Sequence, residues 1–286
     1  MTSIDPDLRI ASVHLAVSDL QRSVDFYEHA LGLALIARGP DRASLGPDPR
    51  SPALHLHAIA EPTSTPVAAT GLFHVAWLHP DRASLAATLR RVSKTGWRFD
   101  GASEHGVSEA LYLSDPDGLG IELYVDRPRE QWQRPADGHG VVMFTAALDL
   151  DDLLAQSTEE PSPSMPEGTT VGHIHLKVAD VERAASFYRD ALGMDEQARM
   201  PSAAFLSAGG YHHHIGLNSW QSQGAAPPPD TSPGLCLVEF ELGGAEAVEA
   251  LAANLEGSPS GGGVEREDGG LLVSDPDGAA LAFAAR

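Results

Sequence analysis

One segment of this chain is written twice, and the duplication limits the fold more than any other feature. Val17-Ser-Asp-Leu-Gln-Arg-Ser-Val-Asp-Phe-Tyr27, closing on Ala30-Leu-Gly32, returns as Val178-Ala-Asp-Val-Glu-Arg-Ala-Ala-Ser-Phe-Tyr188, closing on Ala191-Leu-Gly193. The copies are 161 positions apart (178 − 17). A tight turn, Asp115-Pro-Asp-Gly118, recurs as Asp275-Pro-Asp-Gly278 at nearly the same shift. Repetition on this scale means a duplicated domain, not a solenoid of short repeats.

Within each half the pattern restarts once more. Residues 9–17 read as a strand, Ser18-Asp19 as a helix cap, and Leu20, Val24, Phe26, Tyr27 and Leu31 keep helical spacing up to Gly32. Short strand-like runs follow near 33–38, 43–46 and 53–59. From Gly71 a second strand, a helix capped by Asp81 and three more strands end at Val125. Four units of strand, helix and three strands are therefore expected, two per half. That places the chain in the α+β class, with a first domain over 8–127 and a second over 169–286. Residues 128–168 are polar and Pro/Ser-rich, including Glu159-Glu-Pro-Ser-Pro, and read as a linker. Val141–Leu154 is expected to pack between the halves. Gly224–Pro233 and Gly257–Gly263 are breaker-rich and read as surface loops.

A formal net charge of −21 and a pI near 4.8 argue against nucleic acid and against anionic membrane surfaces, because little is there to neutralise phosphates. The acidity reads as a solubility feature. Cys236 is the sole cysteine, which excludes an intrachain disulfide or a thiolate cluster and fits a reducing cytoplasm. No signal pattern opens the sequence, and no apolar run reaches membrane length. Strand edges on duplicated units often pair, so a homo-oligomer stays open.

The chemistry concentrates in histidines. In Ile121-Glu-Leu-Tyr-Val125 the carboxylate falls in mid-strand, on the face opposite the aliphatic residues, where it needs a reason. Ala282 holds the corresponding place in the second half, so the copies are not equivalent. His74 lies on the first strand of unit two. His173 and His175 share one face of the first strand of unit three, and Tyr211-His-His-His-Ile-Gly-Leu-Asn218 closes that unit. Imidazoles and a carboxylate at matching strand positions suggest a metal site. Two His and one carboxylate on one face suit non-haem Fe(II), although Mn(II), Ni(II) and Zn(II) take the same donors. His55 and His57 share a face of unit one and read as satisfied or surface imidazoles, as do His29, His79 and His139. No phosphate loop, dinucleotide fingerprint or supported Ser/His/Asp motif is present.

The strand openings before Asp-Leu-x-x-Ser-x-x-Phe-Tyr, the Leu-Gly helix ends and Asp-Pro-Asp-Gly-x-x-Ile-Glu resemble the vicinal oxygen chelate superfamily of glyoxalases, extradiol dioxygenases and bleomycin-resistance proteins. The resemblance covers roughly 9–126 and 170–284. Ser108-Glu-Ala-Leu-Tyr-Leu-Ser, Asp126-Arg-Pro-Arg-Glu-Gln-Trp and Ser207-Ala-Gly-Gly-Tyr-His-His-His-Ile-Gly-Leu-Asn are similar to its two-domain catechol 2,3-dioxygenase-like group. It implies tandem domains of βαβββ units with curved mixed sheets. It also implies metal ligands on the first strand of one unit and the first and last strands of another. His74 and Glu122 match two of these positions and His173 the third, while the matching places in units one and four hold Ser12, Leu237 and Ala282. Unit two should then pack on unit three, with the ion between the halves. His14, two residues on from Ser12, is the alternative ligand, in a set with His74 and Glu122.

The resemblance further implies an Fe(II)-dependent extradiol ring-cleaving dioxygenase acting on a catechol with O2. His213 would be the acid/base residue. Tyr112 would hydrogen-bond a catecholate oxygen. His105, His175 and His214 would bind substrate or support the ligands. One alternative is a glyoxalase-like isomerase with four protein ligands, including His212 or His214. Another is a non-catalytic drug-binding protein on the same scaffold.

Overall fold

The computed structural model describes residues 2–157, 160–258, 263–267 and 269–286. The expected loop over Gly257–Gly263 and the stretch around Glu159 fall partly outside them. Unit one comprises β1 (Arg9–Val17), α1 (Leu20–His29), β2 (Ala34–Arg38), β3 (Arg42–Gly46) and β4 (Leu54–Ala58). Unit two comprises β5 (Gly71–Leu78), α2 (Arg82–Lys94), β6 (Gly101–Glu104), β7 (Ser108–Ser114) and β8 (Gly120–Asp126). Between the halves lie β9 (Ala146–Ala147) and α3 (Leu150–Ala155). Unit three has β10 (Thr170–Lys177), α4 (Val181–Ser186) running into a π-helical turn (Phe187–Ala191), β11 (Asp195–Met200), β12 (Ala203–Ser207) and β13 (Ile215–Asn218). Unit four has β14 (Gly234–Leu242), α5 (Ala245–Gly257), β15 (Val264–Glu267), β16 (Gly270–Ser274) and β17 (Ala280–Ala285).

The repeated residues do repeated work. Asp19, Asp81 and Asp180 cap their helices by accepting from the backbone N–H of Arg22, Ser84 and Arg183. In the Asp-Pro-Asp-Gly turns, one oxygen of Asp115 accepts from the N–H groups of Asp117 and Leu119, and Asp275 does the same for Asp277 and Ala279. The Phe-Tyr pairs pack in the core, and each tyrosine ends on a turn: Tyr27 donates to Asp115 and Tyr188 to Asp275, both at 3.1 Å. Each half is therefore tied together from helix to turn.

The sheets, by contrast, cross between the halves. Units three and two form one mixed nine-stranded sheet, in the order β11-β12-β13-β10-β5-β8-β7-β6-β9. Units four and one form an eight-stranded sheet, β15-β16-β17-β14-β1-β4-β3-β2. The seams are antiparallel pairings of first strands, β10 with β5 and β14 with β1. Unit two thus stands beside unit three, as the ligand pattern requires.

The segment between the halves does two jobs instead of the single one expected. Trp132 and Val141 pack with Val107 and Tyr211, bridging units two and three. Beyond them β9 extends the edge at β6, and α3 lies along α2 with Leu153 buried. This second part packs on unit two, where Arg82 of α2 pairs with Asp152 and Arg90 donates to the Leu154 and Ser157 carbonyls. No helix among the described residues is long and apolar enough to cross a membrane.

Candidate metal centre

Two rows of residues cross the nine-stranded sheet on one face. In the first, register pairs His173 of β10 with Ala76 of β5, Ala76 with Glu122 of β8, and Glu122 with Tyr112 of β7. In the second, Gly216 of β13 pairs with His175, His175 with His74, and His74 with Gly120. Glycine is needed at both ends of that row. A Cβ on Gly216 would meet the His175 ring at 2.9 Å, and one on Gly120 would meet the Phe73 carbonyl at 2.1 Å.

His74, Glu122 and His173 converge in the space above Ala76, whose methyl group leaves room for them. His74 Nε2 lies 2.9 Å and His173 Nε2 3.2 Å from the same Glu122 oxygen, and all three side chains are buried. His74 Nε2 has no hydrogen-bond partner despite that distance. A buried carboxylate among imidazoles is costly unless a cation compensates it. Burial alone would raise the Glu122 carboxyl, but the facing His173 and His74 outweigh it and hold the group well below the usual range. Burial pushes His173 down to about 4 against the pull of Glu122, so its imidazole is neutral near pH 7 and free to ligate. An anionic carboxylate, two imidazoles and an unpartnered buried nitrogen are a donor set that fits a divalent metal ion.

Around this cluster the structure gathers most of the other candidates. His175 packs against His74 with ring centroids 4.9 Å apart, and its Nε2 is buried without a partner. Phe73, Phe205 and Trp220 surround the His175 ring. Tyr112 lies with its ring 5.8 Å from that of His74, and burial, with the Glu122 charge, raises its phenol. His105 donates through Nδ1 to the Phe144 carbonyl at 2.8 Å, which leaves Nε2 to accept from the Tyr112 hydroxyl at 2.7 Å.

The triple histidine departs from expectation. Residues 211–214 are not strand but an irregular bend ahead of β13, so alternation does not set their directions. His213 packs against His173 at a tilt, with centroids 4.0 Å apart, and burial, followed by the neighbouring imidazoles, drives it well below its ordinary value. His212 is engaged at both nitrogens: Nε2 lies 2.9 Å from Asp126 Oδ1, and Nδ1 lies 2.7 Å from His213 Nδ1. His214 Nδ1 accepts from the Ala208 N–H, and burial lowers it to about 3. A carboxylate only accepts, so His212 donates Nε2–H to Asp126, and its bare Nδ1 accepts from His213 Nδ1–H. His213 is thereby left with a proton-free Nε2.

The sequence offers no role for Asp126 beyond its place in the string that ends at Trp132, although it closes the strand that carries Glu122. Its neighbour Arg127 anchors that strand end on buried Glu109, at 2.8 Å, and on Glu104. Asp126 also accepts from Tyr211, whose hydroxyl meets Tyr124 at 2.7 Å.

The alternative set of His14 with His74 and Glu122 is not assembled. β1 belongs to the eight-stranded sheet, where His14 meets His55, His57 and Glu239 instead. His79 is a satisfied core imidazole between Thr88 and the Trp77 carbonyl, and His29 is bonded to the Asp25 carbonyl at the surface.

The model of the glyoxalase/bleomycin resistance protein/dioxygenase superfamily matches residues 9–123 and 170–283. A catechol-2,3-dioxygenase of Bacillus subtilis (strain 168) is 41% identical over 288 residues, spanning 99% of both chains. Among solved structures, a putative dioxygenase from Bacillus subtilis subsp. subtilis str. 168 aligns with 99% of this chain and 86% of its own, at 13% identity and a TM-score of 0.64. Glyoxalase I from Zea mays aligns with 98% of this chain and 92% of its own, at 18% identity and a TM-score of 0.58. These two structures share the fold.

Proposed function

The chain belongs to the glyoxalase/bleomycin resistance protein/dioxygenase superfamily, and from that premise we propose that it is an extradiol dioxygenase, which cleaves the ring of a catechol with O2 at a non-haem Fe(II). The observation that carries the reading is the buried cluster of His74, Glu122 and His173 at the seam of the nine-stranded sheet. The full-length similarity to a protein named a catechol-2,3-dioxygenase gives that cluster its reaction.

His74, Glu122 and His173 hold the ion. When bound, iron supplies Lewis acidity toward the two diol oxygens and a path for electrons to O2. The chain's own residues handle the protons and the ring. His213 takes a proton from a diol hydroxyl at Nε2, because the chain from Asp126 through His212 keeps that nitrogen bare. Tyr112, its hydroxyl proton held by His105 Nε2, offers its oxygen as an acceptor for a diol O–H. Phe73, Phe205 and Trp220 give the ring an apolar aromatic wall beside His175. The single cysteine agrees with work in the cytoplasm.

The four-ligand, glyoxalase-like reading fares worse, because both nitrogens of His212 are occupied and His214 Nδ1 accepts from the backbone. The test is anaerobic loading with Fe(II), then a panel of catechols with O2. Formation of a yellow ring-opened product with matching oxygen uptake supports the reading. Fully loaded protein that consumes no oxygen with any catechol rejects it.

A further inference from the structure

The eight-stranded sheet repeats the seam of its partner with the ligand residues rearranged. The positions equivalent to His173, His74 and Glu122 are Ser12, Leu237 and Ala282, none of which binds a metal. The carboxylate nevertheless reappears one strand over. In the nine-stranded sheet Ala76 pairs with Glu122; in the eight-stranded sheet Glu239 pairs with Ala282. Acid and alanine have exchanged strands within the same register pair. The imidazoles have moved as well. His14 occupies the place of His175, and His55 of β4 that of Gly216, the glycine that made room for His175.

We propose that this second seam binds a divalent first-row transition-metal ion through His14, His55 and Glu239. Their ligand atoms all lie within 4.8 Å of one another. His14 Nε2 is 3.2 Å from Glu239 Oε2, yet it is buried without a hydrogen-bond partner, like His74 Nε2 in the first seam. Each ligand is also held by a residue that ligates nothing. His57 Nε2 faces His14 Nδ1 at 3.1 Å, Ser44 Oγ faces His55 Nδ1 at 2.9 Å, and Ser12 donates to Glu239. With Nδ1–H of His14 donating to His57 and that of His55 to Ser44, both rings turn bare Nε2 lone pairs toward the ion. Outer partners of this kind fix the orientation of metal-binding imidazoles. The Glu239 side chain is 42% exposed, so this site is open to solvent where the first is closed. Three protein donors and open positions suit Zn(II), Co(II) or Mn(II).

The inference is independent of the reaction at the first seam. It is tested by equilibrium dialysis of the whole apoprotein against Zn(II), with metal content per chain as the readout. Wild type should bind two equivalents, and His74→Ala and the double variant His55→Ala/Glu239→Gln one each. The double variant, loaded with Fe(II), should keep the oxygen uptake of wild type. His57→Leu, which removes no ligand but takes away the acceptor for His14 Nδ1–H, should weaken only the second equivalent, by roughly 10- to 100-fold. It decides the matter if the double variant does not fold. One equivalent in wild type, two in the double variant, or unchanged affinity in His57→Leu overturns the proposal.

Discussion

His173 Nε2 lies 3.2 Å from Glu122 Oε2, although the two residues come from opposite copies of the duplicated sequence. The contact exists because β10 and β5 pair across the halves while the turns and tyrosines hold each half together. A site on such a seam needs both copies, and its weaknesses can be stated in advance.

Removing Glu122 or His173 should abolish metal binding at this seam without unfolding the chain. Glu122→Ala and His173→Ala are expected to lose more activity than the about 10- to 100-fold that follows loss of a supporting residue. Activity of iron-loaded protein together with near-native circular dichroism checks this. Variants within tenfold of wild type would remove the two residues from the ligand set.

Ala76 sets the spacing between them. It is fully buried, and its methyl group is the floor on which Glu122 and His173 meet. Ala76→Leu should overpack the floor, cost about 1–3 kcal/mol of stability and weaken the metal as well. Denaturant midpoints alongside metal affinity measure both. A stable Leu variant with wild-type affinity would show that the floor does not matter.

Asp126 should govern proton transfer without touching the metal. In Asp126→Asn the amide can donate to His212 Nε2, which reverses both tautomers and places the proton of His213 on Nε2. The general base is then lost, and kcat should fall by about 10²- to 10⁴-fold with metal content unchanged. The pH profile of kcat should lose its acidic limb. Unchanged kcat would dissociate His212 and Asp126 from the reaction.

His79 sets a pH limit on the fold, away from the site. Burial lowers it from 6.5 to about 4 between Thr88 and the Trp77 carbonyl. The unfolded chain takes up this proton near pH 6.5, whereas the folded chain resists it to about pH 4. The stabilisation is therefore complete above 6.5 and lost as pH falls through that window, by about 3 kcal/mol in total. His79→Gln should flatten that part of the pH–stability curve of the apoprotein. An unchanged slope would assign the acid sensitivity to other groups.

Much of this molecule could be read from the chain alone, for reasons particular residues make plain. Asp19, Asp81 and Asp180 cap helices through local bonds, and the Asp-Pro-Asp-Gly turns satisfy their own amides, so sequence distance suffices to see them. Glu122 was conspicuous because a mid-strand acid contradicts its surroundings, and His74 and His173 because the repeat aligns them. Asp126 was not, because its partner His212 lies 86 positions away in a bend that follows no period. His212 and His214 lie in that same bend, where strand alternation sets no direction. His55 meets His14 through the pairing of β1 with β4 inside unit one, and Glu239 reaches both only through the seam between units one and four, which joins the ends of the chain. Cross-strand register of that kind leaves no periodic mark on either segment.

The most direct test of the shared seam is an anomalous-scattering map of crystals loaded anaerobically with Fe(II) and collected at the iron edge. The expected peak is bounded by His74 Nε2, His173 Nε2 and a carboxylate oxygen of Glu122, with His213 and Tyr112 on its open side. Iron found only within one copy, with His173 turned away from it, would contradict the account.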